Sequence, residues 1–248
     1  MNIGQGSRVD SSGEVCVLTC IKNLKAMNYP VTIFDVGANV GDFACAVQEV
    51  MGDSANIFGF EPKKSTFETL QKRISEYNNI KIFNFGFGDK KGNRILFFDS
   101  DPEKSGIASI YPRRLDHFNI SLSCQETINL TTVDDFCCEN RITHIDLLKM
   151  DVEGHELMVL KGATKMIEAE SIDCILFEFG GCNIDSRTYF QDFFYVMKDR
   201  YNIYRILQDG LYPINEYNEK YEIFLTTNFF AVRKQFLEKR GKSRSEVF

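Results

Sequence analysis

Acidic side chains end three apolar segments of the sequence. Asp35 ends "TIFD", Glu61 ends "FGFE" and Asp89 ends "GFGD". If these segments are strands of one open α/β sheet, the three carboxylates lie at the sheet edge where such folds bind ligands. Carboxylates accept hydrogen bonds from hydroxyl and amino groups. The spacing therefore predicts a site for a ligand that carries several such donors.

A glycine-containing turn follows the first of these strands, in the stretch "TIFDVGANVGDF". A dinucleotide-binding turn has the pattern G-x-G-x-x-G, but Asn39 and Asp42 stand at its second and third glycine positions. An acid in the first helical turn disfavours a pyrophosphate and favours a cationic ligand. With Glu61 for the ribose hydroxyls and Asp89 for the adenine amino group, the pattern predicts a positively charged adenosine without phosphate. S-adenosylmethionine has this chemistry.

A second group of charged residues lies in "LLKMDVEGHE". Lys149, Asp151 and Glu153 share one face if this segment is a strand, because side chains alternate along a strand. Lys149 stands between apolar residues and is expected to pair with a carboxylate. The predicted catalytic residues are Asp151, Glu153 and His155. Glu153 is a candidate general base, or Asp151 and Glu153 hold a divalent metal such as Mg²⁺, and the residues alone leave both alternatives open.

Position along the chain predicts the remaining site residues. The predicted cofactor-binding residues are Asp35, Gly37, Asn39, Gly41, Glu61, Gly88, Asp89 and Asp151. The predicted substrate-binding residues are Glu178 at the end of the fifth apolar segment, Tyr111 and Arg113 in a long insertion, and Tyr212 in a tyrosine-rich segment. Aromatic faces and carboxylates at these places suit a hydroxylated acceptor.

Apolar and amphipathic segments alternate between residues 31 and 208, which predicts a mostly parallel sheet with helices on both faces. The predicted fold is α/β, a single doubly wound, Rossmann-like sheet of seven strands. About 55 residues between the third and fourth strands are expected to form an inserted hairpin and loop that reach over the site. Residues 1–30 are expected to be a helical extension, 31–234 the sheet domain and 235–248 a basic tail.

These motifs resemble the FkbM-type family of S-adenosylmethionine-dependent methyltransferases. The matching elements are "FDVGANVGDF", "FGFEP", "GFGD", "SGIASI", "TTVDDF", "LLKMDVEGHELMVLKGA" and "ILFEF", and "KMDVEGHE" followed by "LKGA" is the most specific. The resemblance implies a class I methyltransferase sheet whose last strand is antiparallel to the others. It also implies O-methylation of a hydroxyl on a sugar, glycan or secondary metabolite.

Two other functions remain as alternatives. A nicotinamide-dependent oxidoreductase uses a similar sheet and would use Gly37, Gly41 and Glu61, although Asn39 counts against it. A non-catalytic protein that binds S-adenosylmethionine would keep the same pocket and transfer nothing. The formal charge of -6 predicts no nucleic-acid partner. The sequence lacks a leader and an apolar run of about 18 residues, so we expect a cytoplasmic protein without a membrane span.

Overall fold

The computed structural model describes residues 12–24, 30–208 and 210–238. The strands, in chain order, are β1 (Val31–Val36), β2 (Ala55–Phe60), β3 (Ile80–Phe83), β4 (Gly86–Phe87), β5 (Gly92–Phe98), β6 (Cys124–Thr131), β7 (Ile145–Met150), β8 (Ile172–Phe179), β9 (Tyr201–Leu207), β10 (Gly210–Ile214) and β11 (Thr227–Arg233). Within the described ranges, eight of them form the main sheet in the order β10-β9-β11-β8-β7-β1-β2-β3. The predicted α/β fold with a mostly parallel sheet is confirmed.

The predicted strand count of seven was wrong, because β10 is an eighth strand. Its sequence, "GLYPI", contains glycine and proline, which are typical of turns, so the segment looked irregular. Pro213 is tolerated because β10 is an edge strand that pairs with β9 alone. β11 runs antiparallel to both β8 and β9, as the family resemblance implied.

The helices are α1 (Glu14–Leu24), α2 (Asp42–Met51), α3 (Lys64–Arg73), α4 (Val133–Asn140), α5 (Glu156–Lys161), α6 (Thr164–Glu168), α7 (Cys182–Ser186), α8 (Phe190–Met197) and α9 (Lys234–Glu238). They cover both faces of the sheet, and two apolar cores result. One core contains side chains of α1 and α2, and the other contains side chains of α4, α5 and α8. All six residues of β7 are buried, as expected for a central parallel strand.

The inserted hairpin is present between β3 and β7. β5 and β6 pair antiparallel, and β4 joins them to make a separate three-stranded sheet. The loop between β5 and β6 contains a 3₁₀ turn at Pro102–Ile107 and folds back toward the end of β7, where the Ser109 hydroxyl donates to the Glu153 carbonyl over 2.7 Å. The insertion therefore covers the carboxyl edge of the main sheet.

Helices lie outside the sheet toward both ends of the described residues, and residues 1–11 and 25–29 of the predicted extension are not among these residues. The predicted helical extension includes α1, whose Val17, Leu18 and Ile21 are buried in the first core. The predicted basic tail includes α9, while its residues 239–248 lie outside the described residues. In the described parts of the chain, no helix combines the length and apolar character needed to cross a membrane.

Candidate active site

The glycine turn after β1 is held against two neighbouring segments. The amides of Gly37 and Ala38 both donate to the Phe60 carbonyl over 3.0 Å, and the Asp151 amide donates to the Val36 carbonyl over 3.0 Å. Gly37 has a φ of 80°, and a Cβ added there would lie 1.9 Å from the Asp151 carbonyl oxygen. Only glycine fits this position, so the turn brings the ends of β1, β2 and β7 together.

Beneath the turn lies a buried ion pair. The Asp35 carboxylate is 0% exposed and lies 2.9 Å from the Lys149 ammonium, which also donates to the Gly37 carbonyl over 3.3 Å. Burial lowers the pKa of Lys149, but Asp35, Asp151 and Glu14 outweigh it and raise the pKa above its ordinary value. The expected pairing of Lys149 with a carboxylate is confirmed. Asp35 supports the turn from below and lines neither of the two cavities described next.

A first cavity of about 680 Å³ opens above the turn. Its apolar wall consists of Val36, Phe60, Pro62, Phe87, Leu96, Ala108, Ile110, Ile128, Leu130 and Val152. Its polar lining includes Asn39, Glu61, Asp151, Glu153 and His155. No lysine or arginine is among the described residues that line it. A flat, uncharged ring system with hydroxyl donors suits such a cavity better than a phosphate does.

Glu61 is prepared to accept hydrogen bonds from a ligand. One carboxylate oxygen accepts from the Asn39 amide over 3.0 Å, and the other accepts from the Lys63 amide over 2.8 Å. Each oxygen keeps a further lone pair for a ligand hydroxyl. Burial raises the pKa of Glu61 to about 7 despite these donors. A ligand that donates two hydroxyl hydrogen bonds would favour the ionised form.

Glu153 is oriented by the insertion. Arg113 donates to its carboxylate, and the Arg113 guanidinium also lies 3.8 Å from Asp185. The predicted common strand face of Lys149, Asp151 and Glu153 was wrong, because β7 ends at Met150 and Glu153 has a left-handed φ of 52°. Burial raises the pKa of Glu153 to about 8, while Arg113 opposes the shift. Arg113, predicted to bind substrate, instead holds a site carboxylate.

Glu178 and Cys182 lie next to Glu153. A carboxylate oxygen of Glu153, one of Glu178 and the Cys182 Sγ all lie within 4.8 Å of one another. Burial and the neighbouring acids Asp151 and Glu153 raise the pKa of Glu178 well above its ordinary value. The metal alternative grouped Asp151 with Glu153, whereas the geometry groups Glu153 with Glu178 and Cys182. Because Arg113 already neutralises Glu153, this group favours a shared proton over a divalent cation.

His155 faces the first cavity from the N-terminal end of α5. The Tyr111 hydroxyl lies 3.0 Å from its Nδ1, and a Cβ on Gly88 would lie 3.0 Å from its Nε2. Burial lowers the pKa of His155 to about 4, so the ring is neutral at physiological pH. Tyr111 was predicted to bind substrate and instead holds this ring. The next residue, Glu156, accepts from the amides of Val152 over 2.9 Å and Gly154 over 3.2 Å.

A second cavity of about 500 Å³ lies on the other side of Asp151. Its lining contains the four acids Glu14, Asp42, Asp151 and Glu178, the cation Lys149, the amides of Asn39 and Asn228, and Gly37, Ala38 and Phe43. It shares Gly37, Asn39 and Asp151 with the first cavity. The buried Asn39 side-chain oxygen has no hydrogen-bond partner among the described residues. An elongated ligand can therefore pass from one cavity to the other beside Asp151.

Besides Asp35, Tyr111 and Arg113, four predicted residues do not line these cavities. Gly41 packs against α3, where an added Cβ would lie 2.8 Å from Leu70. Gly88 lies behind His155, and Asp89 is exposed outside both linings. Tyr212 is 46% exposed on β10, and β9 and β11 separate that strand from β8. The structure therefore leaves Tyr212 away from the candidate site, whereas Asp89, although outside both linings, lies close enough to His155 to oppose the lowering of its pKa.

Other lining residues were missed by the sequence reasoning. Ser105, Gly106, Ala108 and Ile110 come from the insertion, and the motif "SGIASI" was the signal that marked them. Asn228 lies opposite Glu178 in the antiparallel pairing of β11 with β8. No sequence signal indicated that this asparagine or Glu14 would reach the site.

The buried acids predict how the stability of the free protein depends on pH. The pKa of Glu61 and Glu156 is about 7 and that of Glu153 about 8, against an ordinary 4.5, so folding binds protons above pH 4.5. Stability therefore falls as pH rises through that window. The lowered pKa of His155 makes stability rise with pH, but only below about pH 6.5, the ordinary pKa of histidine. We expect the thermal midpoint to fall between about pH 6.5 and about pH 8.5.

Thermal unfolding in buffers of matched ionic strength measures this dependence. The Glu61→Gln variant, which removes one raised pKa, should show a shallower decline. A midpoint that stays constant or rises over the same interval would contradict the assignment of protons to these carboxyls.

The chain has sequence relatives among known proteins. The sequence model described as "Methyltransferase FkbM domain" matches residues 35–205. Hexuronic acid methyltransferase AglP of Haloferax volcanii is 30% identical over 138 residues, which cover 55% of this chain and 52% of that protein. The 2-O-methyltransferase NoeI of Sinorhizobium fredii is 25% identical over 160 residues, which cover 59% of this chain and 65% of that protein. The matches thus span between half and two thirds of these relatives.

A solved structure supports the fold. The crystal structure of methyltransferase FkbM from Methylobacillus flagellatus KT superposes with a TM-score of 0.50 at 18% identity. The superposition covers 82% of this chain and 43% of that one. At this identity the likeness concerns the arrangement of the sheet and helices, not the substrate.

Proposed function

The chain belongs to the methyltransferase FkbM domain family. We propose that it is an S-adenosylmethionine-dependent O-methyltransferase. The observation that carries the cofactor is the first cavity, with its apolar wall and the Glu61 carboxylate held by two backbone amides. Among the described residues that line it, none is lysine or arginine. An adenine ring fits the apolar wall, and the ribose hydroxyls fit Glu61. The same lining disfavours a dinucleotide, whose pyrophosphate needs cationic or free amide donors.

The proposed reaction places the chemistry beside Asp151, between the two cavities. When bound, S-adenosylmethionine supplies an electrophilic methyl group for in-line attack by an oxygen. Glu153 lines the first cavity, Glu178 lines the second, and their carboxyl oxygens lie within 4.8 Å. We assign Asp151 and Glu153 to the catalytic centre and Glu178 to acceptor binding. The glutamate pair holds one proton before the reaction, and its remaining ionised carboxylate accepts the proton that leaves the acceptor hydroxyl.

His155 has a different proposed role. Its ring is neutral, its Nδ1 is engaged by Tyr111, and it lines only the first cavity. It is therefore placed against the adenosine and the insertion, away from the acceptor side. Proton transfer from the acceptor is assigned to the carboxyls.

The proposed acceptor is a hydroxyl of a sugar, a glycan or a secondary metabolite. The printed names of two relatives, a hexuronic acid methyltransferase and a 2-O-methyltransferase, support a sugar. Because this chain spans only part of each relative, the sugar is carried over as a proposal. The polar second cavity, with carboxyls and side-chain amides, suits a ligand that has many hydroxyl groups.

Calorimetric titration tests the cofactor, and radiolabelled methyl transfer to a panel of sugars and glycans tests the reaction. We expect binding of S-adenosylmethionine and S-adenosylhomocysteine and none of NADH. Binding of NADH alone would favour the oxidoreductase. Binding of S-adenosylmethionine with no transfer to any acceptor would favour the non-catalytic alternative.

Glu61→Gln is expected to weaken binding of S-adenosylhomocysteine by about 10-fold to 100-fold. The substitution removes a charged acceptor, and a hydrogen bond to a charged group contributes about 1.5–3 kcal/mol. Calorimetry of the variant measures the loss. Glu68→Gln on α3 is the matched control, because Glu68 is exposed and lines neither cavity. Equal affinity of the two variants would remove Glu61 from the ribose site.

A further inference from the structure

Glu14 reaches the second cavity from a segment that lies before the family-matched residues 35–205. Its side chain is 8% exposed, and its carboxylate accepts from the Ser12 hydroxyl over 2.7 Å. Among the described residues it has no ion-pair partner. A carboxylate buried this far without a cation is costly unless a ligand supplies the positive charge.

The position of Glu14 is fixed by packing. Gly13 has a left-handed φ of 86°, and a Cβ there would lie 2.3 Å from Ile206 of β9. The Asn228 side chain, which also lines the second cavity, donates to the Ser12 carbonyl over 3.4 Å. α1 then buries its apolar face in the first core. The segment is therefore docked so that Glu14 forms part of the cavity wall.

The charges of the second cavity do not balance without a ligand. Lys149 is its only cation among the described lining residues, and Asp35 already pairs with it. Asp42 pairs with Arg73 over 2.6 Å and is largely exposed. Burial raises the pKa of Glu14, and Lys149 opposes that shift only in part. Glu14, which is buried, and Glu178, which is partly exposed, remain as acids that an ammonium group would neutralise.

The same cavity also has a place for a carboxylate. It includes Asp42 and Phe43 in the first turn of the ten-residue helix α2, whose first amides have no partner within the helix. Such amides favour an anionic group, and the opposing charge of Asp42 is already paired with Arg73. A zwitterion is therefore matched at both ends, with its carboxylate at α2 and its ammonium at the acids opposite. The unpartnered Asn39 oxygen lies between the two cavities as a further acceptor.

We propose that Glu14 binds the ammonium group of the methionine tail of S-adenosylmethionine, so that the N-terminal helix completes the cofactor site. This inference rests on the proposed function. It assigns the second cavity two ligands, the amino-acid tail of the cofactor at its α1 and α2 side and the acceptor at its Glu178 side. Removal of the Glu14 charge then weakens ligands that carry the tail and leaves tail-less ligands unaffected.

The experiment compares S-adenosylhomocysteine with 5′-methylthioadenosine, which shares the adenosine and the thioether but lacks the amino-acid tail. Calorimetry of the wild-type chain and of Glu14→Gln gives the effect on each ligand. We expect S-adenosylhomocysteine to bind about 10-fold to 100-fold more weakly to the variant and methylthioadenosine to bind equally to both. Glu49→Gln, an exposed acid on α2, is the control and should change neither affinity.

The other outcomes overturn the inference. Unchanged affinity for S-adenosylhomocysteine removes Glu14 from the tail site, and an equal loss for both ligands assigns it a structural role only. Because methylthioadenosine reports on the folded adenosine site, a misfolded variant belongs to the second of these outcomes. If the wild-type chain binds neither ligand, the proposed cofactor itself fails, and that failure is distinct from a loss confined to Glu14→Gln.

Discussion

Gly37→Ala is expected to abolish cofactor binding and to lower the thermal midpoint of the protein. The new Cβ would lie 1.9 Å from the Asp151 carbonyl oxygen, and the φ of 80° is unfavourable for any residue with a side chain. The Asp151 carbonyl belongs to the backbone and cannot move aside as a flexible side chain can. The turn and the loop after β7 must therefore separate. That movement displaces Asn39 from Glu61 and opens both cavities at once. We expect S-adenosylhomocysteine affinity to fall by at least about 100-fold, which corresponds to about 3 kcal/mol.

Gly52→Ala is the matched control for this prediction. Gly52 also has a positive φ, 56°, but an added Cβ would meet no atom within 4 Å. Its substitution therefore incurs only a backbone cost, which is considerable because φ 56° with ψ -138° is a conformation of glycine, and should leave binding unchanged. The difference between the two variants isolates the steric contact with Asp151. If Gly37→Ala binds the cofactor as well as Gly52→Ala does, the turn is not the close-packed element that the structure shows.

Strand ends were the part of the site that the sequence predicted best. Glu61 follows β2 and Asp35 lies near the end of β1, and parallel neighbours place their carboxyl ends at one edge, where Glu61 lines the first cavity and Asp35 supports the glycine turn. The partner of Lys149 was also predictable, because an unpaired ammonium in an apolar strand is too costly. These inferences needed only local patterns and the general geometry of an open sheet. They located the first cavity without any knowledge of side-chain positions.

Asp89 does not end a strand of the main sheet, as its sequence position had predicted. Its segment, "IKIFNFGFGD", looked like one strand, but it divides into β3 in the main sheet and β4 in the small one. β4 therefore does not belong to the main sheet: its Phe87 still lines the first cavity, but Asp89, two residues later, is exposed outside it. The division depends on β4 pairing with β6, which begins more than 30 residues later. Local periodicity does not encode such a pairing.

Arg113 and Glu14 failed to be predicted in their observed roles for a related reason. Arg113 meets Glu153 across 40 residues of sequence, and Glu14 reaches a cavity whose other acids lie on α2, β8 and the loop after β7. These contacts arise from how the insertion and α1 dock on the finished sheet. Residue type alone indicated a substrate role for Arg113, because a cation in a loop that covers the site can bind substrate. Its pairing with the Glu153 carboxylate became visible only in the structure.

Lys149→Met is expected to destabilise the protein by about 3–5 kcal/mol, the range observed when one partner of a buried ion pair is removed. Methionine keeps the length of the side chain and its packing in β7, so the loss comes from the charge. Asp35, fully buried and 2.9 Å from the ammonium, is left without its cation, and the Gly37 carbonyl loses a donor. Chemical denaturation followed by circular dichroism measures the free energy of unfolding. Cofactor binding should weaken as well, because the pair supports the glycine turn from below.

A double variant separates the charge from the packing. In Asp35→Asn with Lys149→Met the uncompensated carboxylate is absent, so the combined loss should be smaller than the sum of the two single losses. Lys91→Met is the matched control, because Lys91 pairs with Glu139 over 2.7 Å on the surface, where solvent screens such a pair and it stabilises the protein little. If Lys149→Met lowers the free energy of unfolding no more than Lys91→Met does, the Asp35 carboxyl is held protonated without help from the lysine. The turn would then rest on its backbone hydrogen bonds to Phe60 and Val36 alone.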